Sequence, residues 1–357
     1  MVGTIREISV NGSDDESDEV IPFRYAISSY GADYPVDSLV KRIKNEDIFV
    51  PPFQRRYVWD VKKASRFIES LLLGLPVPGI FLSREPKTQQ LLVIDGQQRL
   101  LTLYYFNDGI FADSRKEFAL TGVQQQFEGL TYKTLSDADR RRLADSILHA
   151  TIVKQDQPSN DESSIYQIFE RLNTGGVHLQ PQEIRTAIYH GAFSNLIKHL
   201  NKNEAWRLVY GPVNKNMRDQ ELILRFLALY FRSDSYSKPM KEFLNEYMGS
   251  NRELQINSED EIRKVFSNTI EAVRRCLGEK VFKPKRQINA AVFDAVMVGV
   301  ARRLVQGSIS DCKALQESYR NLLDDRQFTN ATQTATTDEE NVKRRIELAT
   351  KAFANIG

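Results

Sequence analysis

Histidine and cysteine are scarce in this 357-residue chain, with four of the first and two of the second. Cys276 and Cys312 stand far apart and outside any CxxC or Cys/His spacing, which excludes a sequence-local zinc site. Both are expected to be reduced and buried, which favours the cytoplasm. Long apolar runs are missing too. The opening residues MVGTIREISVNGSDDESDEV show no basic segment followed by an apolar one, and no stretch approaches the length of a membrane span, so neither secretion nor membrane insertion is expected. The net charge of +2 lacks the basic excess that would by itself point to nucleic acid; only a local basic face would do so. There is no G-x-x-x-x-G-K-[ST] loop and no G-x-G-x-x-G, so conventional P-loop and Rossmann nucleotide sites are excluded, and no repeat of fixed period is visible.

What the chain does have is core material: 41% of its residues are hydrophobic, and its length suggests about two domains. The acidic run Ser13 to Glu19 reads as a solvated lead-in, so residues 1–20 are expected to be disordered. From Val36 onward element types alternate. Leu39, Val40 and Ile43 have helical spacing, and Ile48-Phe49-Val50 looks extended and stops at Pro51-Pro52. Asp60 is placed to cap a helix carrying Val61, Ala64, Phe67, Ile68 and Leu71, closed by Gly74. Ile80–Leu82, Leu91–Ile94, Phe118–Leu120 and Thr151–Val153 read as strands, and Ser136-Asp137-Ala138-Asp139 as a capping box. Ile165, Ile168, Phe169 and Leu172 make an amphipathic helix, and Pro181 suits the first turn of the next. Helical patterns then cover about 218–232, 238–248, 259–277, 288–306, 309–324 and 338–354. The predicted class is α+β, with a mixed domain at 21–160 and an all-helical domain at 161–357.

The chemistry gathers at Ile94-Asp95-Gly96-Gln97-Gln98-Arg99, where an apolar strand turns into a helix. Such a turn presents backbone N–H groups and the positive end of the helix dipole, an anion site. Gly96 permits close approach or a positive φ, Gln97 and Gln98 add neutral donors and acceptors, and Arg99 carries a fork matched to phosphate oxygens. Asp95 cannot prefer a phosphate itself; it holds a Mg²⁺, binds a base or sugar donor, or caps the helix. The plainer reading is an ordinary turn with Asp95 as cap and Arg99 solvated. Two further polar loops weigh against it: Gln54-Arg55 after a strand-like segment, and Asn173-Thr174-Gly175-Gly176, a turn of the kind that cradles anions.

Together, Phe53-Gln54-Arg55-Arg56-Tyr57-Val58-Trp59, Ile94-Asp95-Gly96-Gln97-Gln98-Arg99-Leu100 and Phe169-Glu170-Arg171-Leu172-Asn173-Thr174-Gly175-Gly176-Val177-His178-Leu179 resemble the three motifs of the GmrSD N-terminal domain family, in order and spacing, over about residues 35–195. That domain forms the N-terminal part of type IV modification-dependent restriction enzymes. The resemblance implies a ParB/sulfiredoxin-like head, a nucleotide site supporting hydrolysis, and coupling to DNA sensing. Carried over, Asp95, Gln98 and Arg99 become catalytic; Gln54, Arg55, Gly96, Gln97, Asn173, Thr174 and Gly175 become nucleotide-binding; and Asp95 becomes the candidate Mg²⁺ ligand. A glutamine stands before the arginine where ParB-like CTP sites carry an acid. Full-length enzymes of this type add an HNH nuclease, but His149, His178, His190 and His199 offer no such cluster, so none is expected here.

The expected function is therefore that of an NTP-binding, NTP-hydrolysing regulatory module of a bacterial or phage-related defence system. Its partners would be a nucleoside triphosphate, DNA, a separate effector or nuclease protein, and a second copy in a homo-oligomer. The alternatives are a non-hydrolysing DNA- or protein-binding module with nucleotide as switch, and a metal-dependent nicking nuclease. For DNA, the candidate residues are Lys285 and Arg286, in a basic cluster with Arg274, Arg275, Lys280 and Lys283; a solvated loop is the competing reading.

Overall fold

Apolar periodicity divides the chain into a part that builds a five-stranded sheet and a part that is almost all helix. The computed structural model describes residues 10–11, 26–50, 57–85, 88–112, 116–157, 163–172, 179–283 and 288–357. Two compact units result, Arg24–Leu179 and Gln180–Gly357, the second including the N-terminal Met1–Phe23. Within the stretch expected to be disordered, Val10–Asn11 form a two-residue strand, β1; the acidic run lies outside the described residues.

In the first unit the order is β2 (Ala26–Pro35), α1 (Val36–Lys44), β3 (Ile48–Phe49), α2 (Val61–Leu72), β4 (Ile80–Arg84), β5 (Leu91–Asp95), α3 (Gln97–Asp108), β6 (Ile110–Phe111), β7 (Lys116–Glu117), α4 (Asp137–Asp145), β8 (Ile147–Gln157) and α5 (Ser163–Leu172). Five strands make a mixed sheet in the order β2-β8-β4-β5-β3. The pairs β3–β5 and β4–β8 are parallel, while β2–β8 and β4–β5 are antiparallel. Because side chains alternate along a strand, Leu91 and Val93 join Ile80, Leu82 and Ile152 in the core built with α1 to α4, while Ile94 and Val153 are buried on the other face. There α5 packs on β5 and β8, burying Ile165, Tyr166 and Phe169. This burial explains why the first unit ends at Leu179 rather than near 160: α5 belongs to the sheet.

Local rules account for the helix starts. Asp60 caps α2 by accepting from the Lys63 N–H at 2.7 Å, and Ser136 caps α4 by accepting from that of Asp139 at 3.1 Å. Gly74, just past α2, has φ of 69°. The expectation of a strand at Phe118–Leu120 is corrected. Both Phe118 and Leu120 are fully buried, but Leu120 exchanges hydrogen bonds with Leu130 and Gly129, each 2.8 Å, so this run is the base of a closed loop.

The second unit comprises α6 (Pro181–Ile188), α7 (Ala192–Leu200), α8 (Glu204–Tyr210), α9 (Arg218–Arg232), α10 (Met240–Ser250), α11 (Glu259–Leu277), β9 (Ile288–Asn289), α12 (Ala290–Leu304), α13 (Cys312–Asp324), α14 (Arg326–Gln333) and α15 (Glu339–Phe353), with β1 parallel to β9. α12 is apolar nearly all round and is the buried central helix. Asp294 in its middle is fully buried between two guanidinium groups, Arg225 at 2.8 Å and Arg345 at 2.9 Å. The two cysteines are not free thiols as expected: Cys276 on α11 and Cys312 on α13 form a disulfide, with Cα atoms 4.7 Å apart. Helix packing brings together what the sequence separates, and the case for a reducing compartment from unpaired cysteines falls with it. Among the described residues no helix is long and apolar enough to cross a membrane.

Removing the shared carboxylate would take this ion pair from two buried guanidinium groups. Asp294→Ala is expected to lower the stability of the helical unit by about 3–5 kcal/mol, read from the urea midpoint of its unfolding.

Candidate functional site at the strand-to-helix turn

The apolar strand β5 ends at Asp95, and α3 opens two residues later. Gly96 makes the connection at φ 97°, in the left-handed region that favours glycine. Space demands it as well. A Cβ at Gly96 would lie 2.3 Å from Cγ2 and 2.9 Å from Cβ of Ile80 on β4, a buried and immovable neighbour. With glycine in the cap position no side chain caps the opening N–H groups of α3.

Asp95 does not cap the helix. Its Oδ2 pairs at 2.8 Å with the Arg99 guanidinium one turn along, so the motif's acid and base are matched to each other. Arg99 is mostly buried and Asp95 half exposed, at 15% and 47% of side-chain surface. The solvated Arg99 of the plainer reading is thus replaced by an arginine lying along the turn, its Nε buried. Gln98 points elsewhere: its Oε1 accepts from the N–H groups of Val58 at 2.9 Å and Trp59 at 3.3 Å. One turn on, Thr102 Oγ1 donates to the Gln98 carbonyl and meets the Tyr57 hydroxyl, both at 2.7 Å.

The first two motifs therefore come together. β3 runs parallel beside β5, which places the chain leaving β3 at the end of the sheet where α3 begins, and Tyr57–Trp59 are bound to α3 directly. Gln54 and Arg55 themselves lie outside the described residues, as do Asn173, Thr174, Gly175 and His178. The helix that carries the start of the third motif, α5, packs on β8, with the Ser164 hydroxyl hydrogen-bonded to the Gln155 side chain. Tyr57 and Trp59 offer no stacking platform. Tyr57 packs edge-on against Tyr105 and Phe111, with centroids at 5.2 and 5.5 Å, and Trp59 against Phe67 at 5.7 Å. Burial pushes the Tyr57 phenol up to about 12.

A protein-built metal site does not fit this geometry. Among the described residues no group of three His, Cys, Asp or Glu side chains could hold a metal, and Asp95 already faces a guanidinium. The basic cluster also finds other employment. Lys283 donates to the Val209 and Tyr210 carbonyls at 3.1 and 3.2 Å, closing the end of α8, and burial lowers its pKa. Arg275 donates to the Ile309 carbonyl at 2.7 Å, and Arg274 pairs with Glu271 at 2.7 Å. Lys285 and Arg286 lie outside the described residues.

The helical unit also holds buried polar clusters that the sequence did not single out, the one around Arg185 among them. Arg185 on α6 is buried, donating to Asn245 at 2.8 Å and Gln182 at 2.6 Å, with Glu221 3.3 Å away. Its only signal in the sequence was a helix with polar residues on every side, too weak to single out.

Two outcomes follow from this geometry. Gly96→Ala combines a left-handed φ with a clash against Ile80 and is expected to destabilise the first unit by at least about 2 kcal/mol in thermal melts. Tyr57 ionises above its ordinary value when folded, so its contribution to stability is intact below pH 10 and is lost as pH rises toward 12. Tyr57→Phe is expected to flatten the fall in stability over that window, measured by denaturation at each pH.

Comparison with known proteins adds one finding. No curated protein matches the chain. A family model does, and its span runs from α1 through α6 and takes in all three motif segments. Residues 36–190 match the GmrSD restriction endonuclease N-terminal domain.

Proposed function

We propose that the chain is a component of a restriction-like defence system, and that the turn at Asp95–Arg99 binds a nucleoside triphosphate and supports its hydrolysis, with DNA or a partner effector reading the outcome. The observation that carries this reading is an uncapped twelve-residue helix opening at a glycine, with a guanidinium one turn in held by a half-exposed carboxylate. Phosphate oxygens suit the opening N–H groups and the dipole of α3, and Arg99 is the fork that would meet them.

Phosphoanhydride hydrolysis needs charge stabilisation on the transferred group and a positioned water. Arg99 answers the first requirement, with Arg55 as a second cation from the adjoining motif. Asp95 holds Arg99 in reach while no anion competes for it. Binding without turnover is the second reading. It is favoured by the same ion pair, because the carboxylate of the motif is engaged by Arg99.

Calorimetry with ATP, GTP, CTP and UTP, followed by phosphate release with and without duplex DNA, tests both. Arg99→Ala is expected to weaken binding tenfold or more, the scale of a lost charge-assisted bond, about 1.5–3 kcal/mol. Asp95→Asn, which releases Arg99, is expected to bind at least as tightly as the natural chain. Absence of binding by all four nucleotides would sink the proposal; binding without phosphate release selects the switch.

A further inference from the structure

We infer that Gln98 is a positioning residue: it contributes to nucleotide binding by fastening the Tyr57–Trp59 segment to the first turn of α3, and not by contact with the nucleotide. This rests on the nucleotide reading of the same turn. Three observations point to it. The Gln98 acceptor oxygen takes two successive backbone N–H groups, Val58 at 2.9 Å and Trp59 at 3.3 Å, so its carbonyl is engaged before any ligand arrives. Val58 is 61% exposed, yet its N–H is held by a side chain from forty residues away and not left to water. A second strap lies alongside, since the buried Thr102 links the Gln98 carbonyl to the Tyr57 hydroxyl.

Those contacts fix the chain where it enters α2, whose cap residue Asp60 is next in line. The opening turns of α2 and α3 are thereby tied at one point. Successive helix positions are about 100° apart, so Gln98 can reach sideways to Val58 while Arg99 turns back over Asp95. A ligand drawn to Arg99 therefore meets a turn whose neighbour is already held.

The two tasks open to Gln98 respond differently to an isosteric acid. Gln98→Glu keeps an oxygen that accepts both N–H groups but loses the amide donor and gains a negative charge. Gln98→Ala loses everything. Amide hydrogen exchange at Val58 and Trp59 and calorimetric affinity for ATP, GTP, CTP and UTP are measured on the full chain for each variant. Gln98→Ala is expected to raise exchange at both amides about tenfold and to weaken nucleotide binding about tenfold, while Gln98→Glu stays within about threefold of the natural chain in both.

Unchanged exchange in Gln98→Ala overturns the fastening. Raised exchange with unaltered affinity overturns its link to binding. A Gln98→Glu variant that keeps protection but binds as poorly as Gln98→Ala shows that the amide touches the nucleotide, and overturns the assignment. If the natural chain binds no nucleotide, the functional reading fails and takes the link to binding with it, while the exchange data still decide whether Gln98 holds Val58 and Trp59.

Discussion

The site at Asp95–Arg99 depends on the contact between Gly96 and Ile80. β5 must stop and reverse into a helix while lying directly against β4, and at 2.3 Å from Ile80 Cγ2 there is no volume for a Cβ. That exclusion, with the positive φ it accompanies, sets the direction in which α3 leaves the sheet. Everything else in the motif is measured from that direction: Arg99 returns over Asp95, Gln98 reaches the chain entering α2, and Thr102 one turn further meets Tyr57. A bulkier residue at the turn would displace all three contacts together.

Two ion-paired carboxylates, Asp95 and Asp294, show why one place suits a ligand and the other does not. Asp294 is sealed between Arg225 and Arg345 in the helical unit, and breaking such a buried group is strongly destabilising. Asp95 and Arg99 pair four residues apart on a helix start, with the acid half in water. Pairs of that kind contribute about 0.3–0.5 kcal/mol, below the roughly 1.5–3 kcal/mol of a charge-assisted hydrogen bond. On the proposed reading, the phosphate of a nucleotide competes for Arg99 on favourable terms, and the ion pair holds the guanidinium in place without locking it.

Much of the fold was legible because local physics decides it. The Asp60 and Ser136 caps, the stop at Gly74, the strand pair flanking Glu85 and the long helices α9 and α11 each follow from a few neighbouring residues. What escaped was decided at a distance. β2, Ala26–Pro35, is an edge strand whose only core-facing alternation is the weak pair Ala32 and Tyr34, and its register with β8 is what reveals its full length. Phe118–Leu120 had the composition of a strand, but its backbone groups pair with Gly129 and Leu130. The cysteines are 36 residues apart on two helices whose crossing no periodicity predicts. For the site, the sequence located Asp95–Arg99 correctly as a strand-to-helix turn, yet nothing in a glutamine's identity tells whether its oxygen faces a ligand or a neighbouring backbone.

Adjacent residues with similar chemistry invite a single shared role, and helix geometry argues against it. Gln97, Gln98 and Arg99 project about 100° apart around α3. The Arg99 direction is set by Asp95 behind it, and the Gln98 direction by Val58 and Trp59 beside it. Gln97 leaves the helix along a third direction. The same turn also couples the first and second motifs: the Tyr57–Trp59 end of one is bound by Gln98 of the other and by Thr102 just beyond it, and a change in either would loosen the start of α2 from the start of α3. The motif is thus a joint between two helices as much as a place where an anion can sit, and its residues are constrained by the joint even where no ligand touches them.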